Sequence, residues 1–317
     1  MKIKEVKSHI IQYDLKEELG YSQQYYQKRT GHLVEVVTDE GITGWGECFG
    51  PGNVAIANKV IVERVIQPMI LGENPLNRDV LWHKVYNLLR DHGQKGMPIQ
   101  ALSGVDIALW DILGKVTGLS ISRLIGGRFR EQVPVYGYGM MLRREKLPAL
   151  MDRFEDEAAA IKSSGFVATK MKVGLGPKQD VQLAESVRRG VGGDFPFMVD
   201  ANHCYTVDQA LYVGRALEEL DAYWFEEPVA PEDLDGYQEL RSQLTINIAG
   251  GEAEFTRWGW RNLLEKHCLD IAQPEVCALG GISEYLRVLA LAQAHFTQVI
   301  NHVWGSAVAI ATNLQLL

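Results

Sequence analysis

Two lysines, Lys170 and Lys172, stand two residues apart in the run Phe166-Val167-Ala168-Thr169-Lys170-Met171-Lys172-Val173. On a strand, side chains at i and i+2 share a face. Phe166, Val167, Met171 and Val173 give the run the composition of a buried strand. A buried ammonium group is costly without an acidic partner, so this pair either faces acids or moves protons. The acids follow at regular spacing: Asp200, Glu226 and Glu252 recur every 26 residues. One structural repeat per interval sets the three carboxylates on neighbouring strands at one depth. A single carboxylate after a strand is most simply a helix N-cap or a surface acid. Three in phase on consecutive strands favour a site. Hard oxygen ligands with room for water and substrate suit Mg²⁺.

The elements that must position these residues show a clear alternation. From Val133 onward, short apolar strands are expected at 133–138, 168–173, 196–200, 222–225, 246–249, 269–273 and 298–301, each followed by an amphipathic helix. Seven such βα units with right-handed crossovers predict a parallel barrel whose active site lies at the strand C-termini. The chain stops where an eighth strand would begin. A seven-stranded barrel would leave two edges open, so a further C-terminal segment is expected beyond this chain. The other strand ends also carry proton-handling or polar groups, notably Glu275 in Gln273-Pro274-Glu275 and His302 in Ile300-Asn301-His302. Asp270 differs from Glu275 in odd–even phase and is expected on the opposite face.

Residues 1–126 read differently. A three-stranded meander over residues 1–50 precedes helices at 53–71, 77–89 and 98–115. In the last of these, Leu102, Val105, Leu109 and Ile112 make one apolar stripe. Strands followed by helices predict a separate α+β domain, ending at Gly126-Gly127. The expected division is therefore an α+β domain over 1–126 and a barrel over 127–317. Between the first two strands, Gly20 to Arg29 is polar and aromatic without periodicity. It reads either as an exposed loop or as a lid bearing substrate contacts, with Tyr21, Tyr25, Tyr26 and Lys28 as candidates. Trp82 and Trp110 read as core of this first domain.

Composition narrows the function classes. A net charge of −8 argues against binding a phosphate backbone, and no run approaches the length of a membrane-spanning helix. Met1-Lys2-Ile3-Lys4 lacks the apolar region of a secretory signal. Cys48, Cys204, Cys268 and Cys277 have neither disulfide-framework nor metal-ligand spacing. A cytoplasmic protein with a small-molecule substrate, and no nucleic-acid or membrane partner, is expected.

Lys170-Met171-Lys172, Asp200, Glu226, Glu252 and His302 together resemble the enolase superfamily, in its mandelate racemase subgroup. The resemblance covers essentially the whole chain. It implies a modified TIM barrel, (β/α)7β, with an N-terminal capping domain, and one Mg²⁺ per subunit held by Asp200, Glu226 and Glu252. Such enzymes use a Lys or His base with Mg²⁺ to stabilise an enediolate. The resemblance implies Lys172 as base, Lys170 as the group that polarises the substrate carboxylate, and His302 as base or acid from the opposite side. Glu275 stands where the subgroup places the aspartate that orients this histidine. The segments Asp91 to Gly96, Ala101 to Asp111, Asp200-Ala201-Asn202-His203 and His302-Val303-Trp304-Gly305 resemble the galactaro-lactone cycloisomerases and acid-sugar dehydratases. That implies β-elimination from an acid sugar or its lactone to a 3-deoxy-2-keto acid; a homo-oligomer is expected. Asn202, two residues after Asp200 on the same face, is expected to support the metal or the substrate, His203 reads either as a loop hydrogen-bonder or as a substrate contact, and Trp304 reads as pocket wall. Lys172 would need a pKa depressed toward neutrality, which Lys170 and a cation favour.

Other readings remain beside this one. Racemisation or epimerisation of a hydroxy acid uses the same two opposed bases. A metal-dependent hydrolase would want histidine ligands on the first barrel strand, where Val135-Tyr136-Gly137-Tyr138 offers none. An Mg²⁺-stabilised binding protein would need neither the lysine pair nor His302.

Overall fold

The computed structural model describes residues 1–317. At the N-terminus, β1 (Ile3–Tyr21), β2 (Gln24–Thr38) and β3 (Thr43–Cys48) form an antiparallel sheet in that order. The β-branched run of β2 alternates strictly: His32, Val34, Val36 and Thr38 are buried and the residues between them are partly exposed. Helix Met97–Thr117 lies across the buried face, with Leu102, Val105, Leu109 and Ile112 all buried. The approach is so close that a Cβ added to Gly46 would overlap the Gly104 carbonyl oxygen. Glycine at position 46 is what permits this packing. Helix Arg78–Leu89 completes the layer. The single helix expected over 53–71 is instead broken by π-helical turns at Ile61–Ile66, between Val54–Val60 and Gln67–Ile70. Trp82 belongs to this core as expected, but Trp110 packs into the barrel core and donates its Nε1 to Ser283 Oγ at 2.9 Å.

The stretch expected as a loop at 20–29 is a hairpin arm. β1 and β2 continue past the core and turn at Ser22-Gln23, with Tyr21 paired to Gln24. Both faces of the arm are partly exposed, so no alternation marks it in the sequence. Its tip docks on the barrel: Gly20 and Leu142 exchange backbone hydrogen bonds of 2.8 and 2.9 Å, and Ser22 Oγ donates to the Asn202 carbonyl at 3.0 Å.

The barrel strands are β4 (Gly137–Tyr138), β5 (Thr169–Lys172), β6 (Phe197–Asp200), β7 (Trp224–Glu226), β8 (Asn247–Gly250), β9 (Ile271–Ala272) and β10 (Gln298–Val299). They form one curled parallel sheet with neighbours in chain order. The first strand is much shorter than the expected 133–138. Alternation sorts the side chains. Met171, Val199, Phe225 and Ile248 point outward onto Leu183, Val187, Val213 and Leu240 of the surrounding helices. Each such fully buried side chain contributes about 1.5–3 kcal/mol. Met198, Trp224, Ala249 and Ile271 point inward and fill the barrel floor. Above this floor the inward positions change to Lys170, Lys172, Asp200 and Glu226. The polar ring therefore rests on a packed apolar plug, which holds its strand ends rigid. No helix is long and apolar enough to cross a membrane, and all four cysteines are free.

Candidate active site

Strand register explains most of the ring. Lys172 pairs with Asp200, and Asp200 with Glu226, so these three share a level. Glu226 pairs with Ala249, not with Glu252. The expectation of one depth for all three acids therefore fails at Glu252, which lies beyond the end of β8. Gly251, with φ of 110°, turns the chain there. The carboxylate still reaches back: one oxygen from each of Asp200, Glu226 and Glu252 lies within 4.8 Å of the others.

The lysines close this triad from one side. Lys170 Nζ lies 2.6 Å from Glu226 Oε1 and 3.3 Å from Asp200 Oδ2. Lys172 Nζ bonds Asp200 Oδ2 and donates to Asn202 Oδ1 at 2.7 Å. Trp224 Nε1 and Gln273 Nε2 donate to Glu226 Oε2 at 2.9 and 3.0 Å. Burial opposes charge on both lysines, but Glu226 beside Lys170 and Asp200 beside Lys172 outweigh it and hold both pKa values above the ordinary lysine range. The depressed Lys172 pKa expected from the sequence is thus reversed in this arrangement. The cause is the Asp200 carboxylate, paired with Lys172 on the neighbouring strand and in direct contact with it, which outweighs Lys170. Burial likewise pushes Asp200 upward, and the two lysines pull it well below the usual carboxylate range. Glu226 is raised by burial and by Asp200.

The other side of the ring is His302. Its Nδ1 lies 2.8 Å from Glu275 Oε2, and its Nε2 lies 3.0 Å from Glu252 Oε2. Glu275 is fully buried, and a backbone bridge sets it directly beside His302. Glu275 also accepts from the backbone N–H groups of Cys277 and Trp304, at 2.9 and 3.2 Å. The longer side chain thus spans to the imidazole with both oxygens used. Burial lowers the His302 pKa, but Glu252 and Glu275 raise it well above the ordinary value. Both carboxylates favour the imidazolium form of His302. Asp270 points away, toward Arg241 at 2.7 Å.

The remaining candidates divide. Asn202 joins the ring through Lys172, with its own N–H on Asp200 Oδ1 at 3.0 Å. His203 flanks it, its N–H donating to the Glu227 carbonyl at 2.7 Å. Trp304 forms wall: Tyr26 and Tyr138 meet it edge-on, with ring centroids 6.0 and 6.4 Å away. Tyr25 and Lys28 are not brought in. The Tyr25 ring lies under Arg144 at 4.2 Å, and the exposed Lys28 pairs with Asp14 at 3.4 Å. Three site residues escaped the sequence reading. Tyr138 stands 5.7 Å from each lysine nitrogen. Gln273 buttresses Glu226. Glu227 is buried beside the triad with φ of 41° and an unpartnered Oε2.

The arrangement fits a divalent cation by its own chemistry. Three hard carboxylates converge, and Glu252 Oε2 is buried and has no aligned hydrogen-bond donor despite the nearby imidazole. A parallel half-closed barrel with an acid triad, a lysine pair on one flank and a histidine–carboxylate pair on the other defines a class of metal-assisted enzymes. Comparison with known proteins gives the same class. Residues 153–317 match the family model described as enolase C-terminal domain-like, and residues 15–126 match mandelate racemase / muconate lactonizing enzyme, N-terminal domain. The chain belongs to this family and is an enzyme of the mandelate racemase type.

Among its relatives, D-galactarolactone cycloisomerase of Agrobacterium fabrum is 40% identical over 320 residues, spanning 100% of this chain and 82% of that protein. The crystal structure of the 3,6-anhydro-D-galactonate cycloisomerase from Zobellia galactanivorans matches with a TM-score of 0.89 at 37% identity, covering 100% of this chain and 84% of that one. The structure of a racemase from Streptomyces coelicolor A3(2) with bound magnesium matches with a TM-score of 0.91 at 30% identity, covering 99% and 86%.

Proposed function

We propose that this enzyme opens an acid-sugar lactone by β-elimination, giving a 3-deoxy-2-keto acid. The observation that carries the reading is the pair of opposed proton-handling groups, Lys172 and His302–Glu275, across one acid triad. The 40% identical cycloisomerase supports the substrate class.

Asp200, Glu226 and Glu252 would hold Mg²⁺, which supplies Lewis-acid polarisation of the substrate carboxylate and so lowers the cost of removing the adjacent proton. Lys170 adds a second positive charge at that carboxylate. With the triad charge neutralised, burial and Lys170 both push Lys172 downward, the direction a general base needs. Asn202 Oδ1 orients the Lys172 amine through its 2.7 Å contact. His302 arrives protonated and faces the opposite side of the substrate. Glu275 fixes the ring through Nδ1, leaving Nε2 to deliver a proton. The apolar floor of Met198, Trp224 and Ile271 keeps bulk water from below.

The test is incubation with Mg²⁺ and hexaro-lactones, D-galactarolactone among them, in deuterated water. Keto-acid formation with deuterium in the product is expected. Open-chain acid sugars run alongside: keto acid from those alone would make the enzyme a dehydratase instead. Neither keto acid nor deuterium from any of them would refute proton abstraction.

A further inference from the structure

We propose that Arg29 receives the carboxylate set free when the lactone opens, and is therefore a catalytic residue on the leaving-group side. The inference rests on the lactone-opening reading above. Arg29 comes from the hairpin arm, not from the barrel. Its guanidinium carbon lies 3.6 Å over the Trp304 ring. Trp304 is two residues from His302, and its N–H is bonded to the same Glu275 oxygen that holds the imidazole. The platform beneath Arg29 is thus tied to the proton-donating flank of the site.

Arg29 is also a cation without an acid. Its neighbours are paired: Lys28 with Asp14, Arg144 with Glu18, and Arg143 with Glu17 and Glu157. Arg29 takes part in no ion pair, although it is only partly exposed. The Tyr26 hydroxyl beside it is buried, within reach of the Arg29 guanidinium and without an acidic partner. Burial raises that hydroxyl's pKa, and the charges of both Arg29 and Lys172 oppose the rise, so one hydroxyl feels both cations. Gly31, next on the same face of β2, packs its open side against Ser306, which keeps this length of strand against the loop after His302. A planar fork of donors without an acid, a hydroxyl beside it and an aromatic wall form a receptor for a carboxylate.

The chemistry of lactone opening supplies that carboxylate. The α C–H bond breaks and its proton passes to the base. Its electron pair forms the α–β double bond. The bond from the β carbon to the lactone oxygen breaks, and its electrons stay on oxygen. The leaving group is then a carboxylate, which needs no proton, whereas dehydration expels a hydroxide that does. The resulting enol becomes the keto acid when its hydroxyl proton is lost and the β carbon takes a proton from the His302 side. Atoms balance without oxidant or reductant, and the product carries one free carboxylate more than the lactone. A guanidinium suits that new charge, and a neutral side chain would not.

The experiment uses the full chain with Mg²⁺ in deuterated water and D-galactarolactone, comparing wild type with Arg29→Met and Arg29→Lys. Arg29→Met is expected to lose keto-acid formation by on the order of 100-fold. Its recovered lactone should carry deuterium at the α carbon, because the proton is still removed while the leaving group is not released. Arg29→Lys should recover part of the elimination. Keto acid formed at the wild-type rate by Arg29→Met would overturn the proposal. Exchange and elimination falling together would overturn it too, since that marks a role in holding the fold or the arm. A wild type that exchanges no proton at all would instead refute the lactone reading, and this proposal with it.

Discussion

Replacing His32 with leucine should flatten the acid sensitivity of this protein. His32 sits on the buried face of β2, the central strand of the N-terminal sheet, fully inaccessible, and neither ring nitrogen has a partner. Burial, aided by the charges of Lys59 and His9, lowers its pKa from 6.5 to about 4. The unfolded chain therefore binds a proton more readily than the folded one between these values, and stability falls as pH falls from 6.5 toward 4. One pKa unit is about 1.4 kcal/mol. The gap corresponds to about 3 kcal/mol once pH is below the folded value, of which about 2.5 kcal/mol has been lost by pH 4.5. Leucine has similar volume and no polar atom to leave unsatisfied. It should raise stability at pH 7 by about 1–2 kcal/mol, the penalty of an orphaned buried polar group. Other groups titrate in the same range, so the informative quantity is a double difference. Urea unfolding of wild type and His32→Leu at pH 7 and pH 4.5 gives it. Wild type should lose about 2.5 kcal/mol more than the variant over that interval. Equal losses would mean His32 is protonated or hydrogen-bonded in the fold, and the reasoning would fail.

Lys172→Ala should abolish α-proton exchange, a loss of at least about 10²–10⁴-fold, while Mg²⁺ affinity measured by calorimetry stays the same or rises. A coincident loss of thermal stability and metal binding would mark Lys172 as structural. Glu275→Gln keeps the size of the side chain but removes the negative charge beside His302. Activity should fall by on the order of 10²–10⁴-fold, as for other histidine-orienting acids, and the pH at which His302 loses its proton should drop when followed by NMR. An unshifted imidazole would show that Glu252 alone sets its charge. Gly174 has φ of 136°, and a Cβ there would overlap Ser22 at the tip of the arm. Gly174→Ala should cost about 1–3 kcal/mol and speed amide exchange over residues 20–24. Unchanged exchange there would mean the tip does not depend on this contact.

The barrel and most of the ring were legible in the sequence because two periodicities coincide there. Alternation puts Lys170 and Lys172 inward with Met171 outward, and the 26-residue interval repeats one βα unit. Glu252 shows the limit of interval counting. Equal spacing in sequence does not fix equal depth, because β8 ends at Gly250 and a glycine turn carries the chain on. The hairpin arm was illegible for a physical reason: a ribbon with no buried face has no hydrophobic period to read. That also misdirected attention to Lys28. Register slips between Asp14 and Leu19, so only the folded ribbon reveals that Arg29, one residue on, meets Trp304. For the Lys172 pKa, proximity to Lys170 is visible in the sequence, whereas the hydrogen-bonded contact with Asp200, which holds the pKa up while the triad keeps its charge, is a property of register.

Glu47 on β3 accepts from the Ser306 N–H, the Ser306 hydroxyl and the Ala309 N–H at 2.8, 2.6 and 2.9 Å. It thereby caps the helix Ala307–Leu314, directly after the loop that bears His302 and Trp304. These partners are 259 and 262 residues apart in sequence. Such distant pairings form late, because a long loop must close before they give any return. During synthesis Glu47 stays without these partners until 259 to 262 further residues have emerged. The contacts that fix the His302 loop are then among the last to form. Weakening the Glu47 clasp would lower the fraction of molecules that reach the working state, with each molecule that does reach it turning over at the full rate.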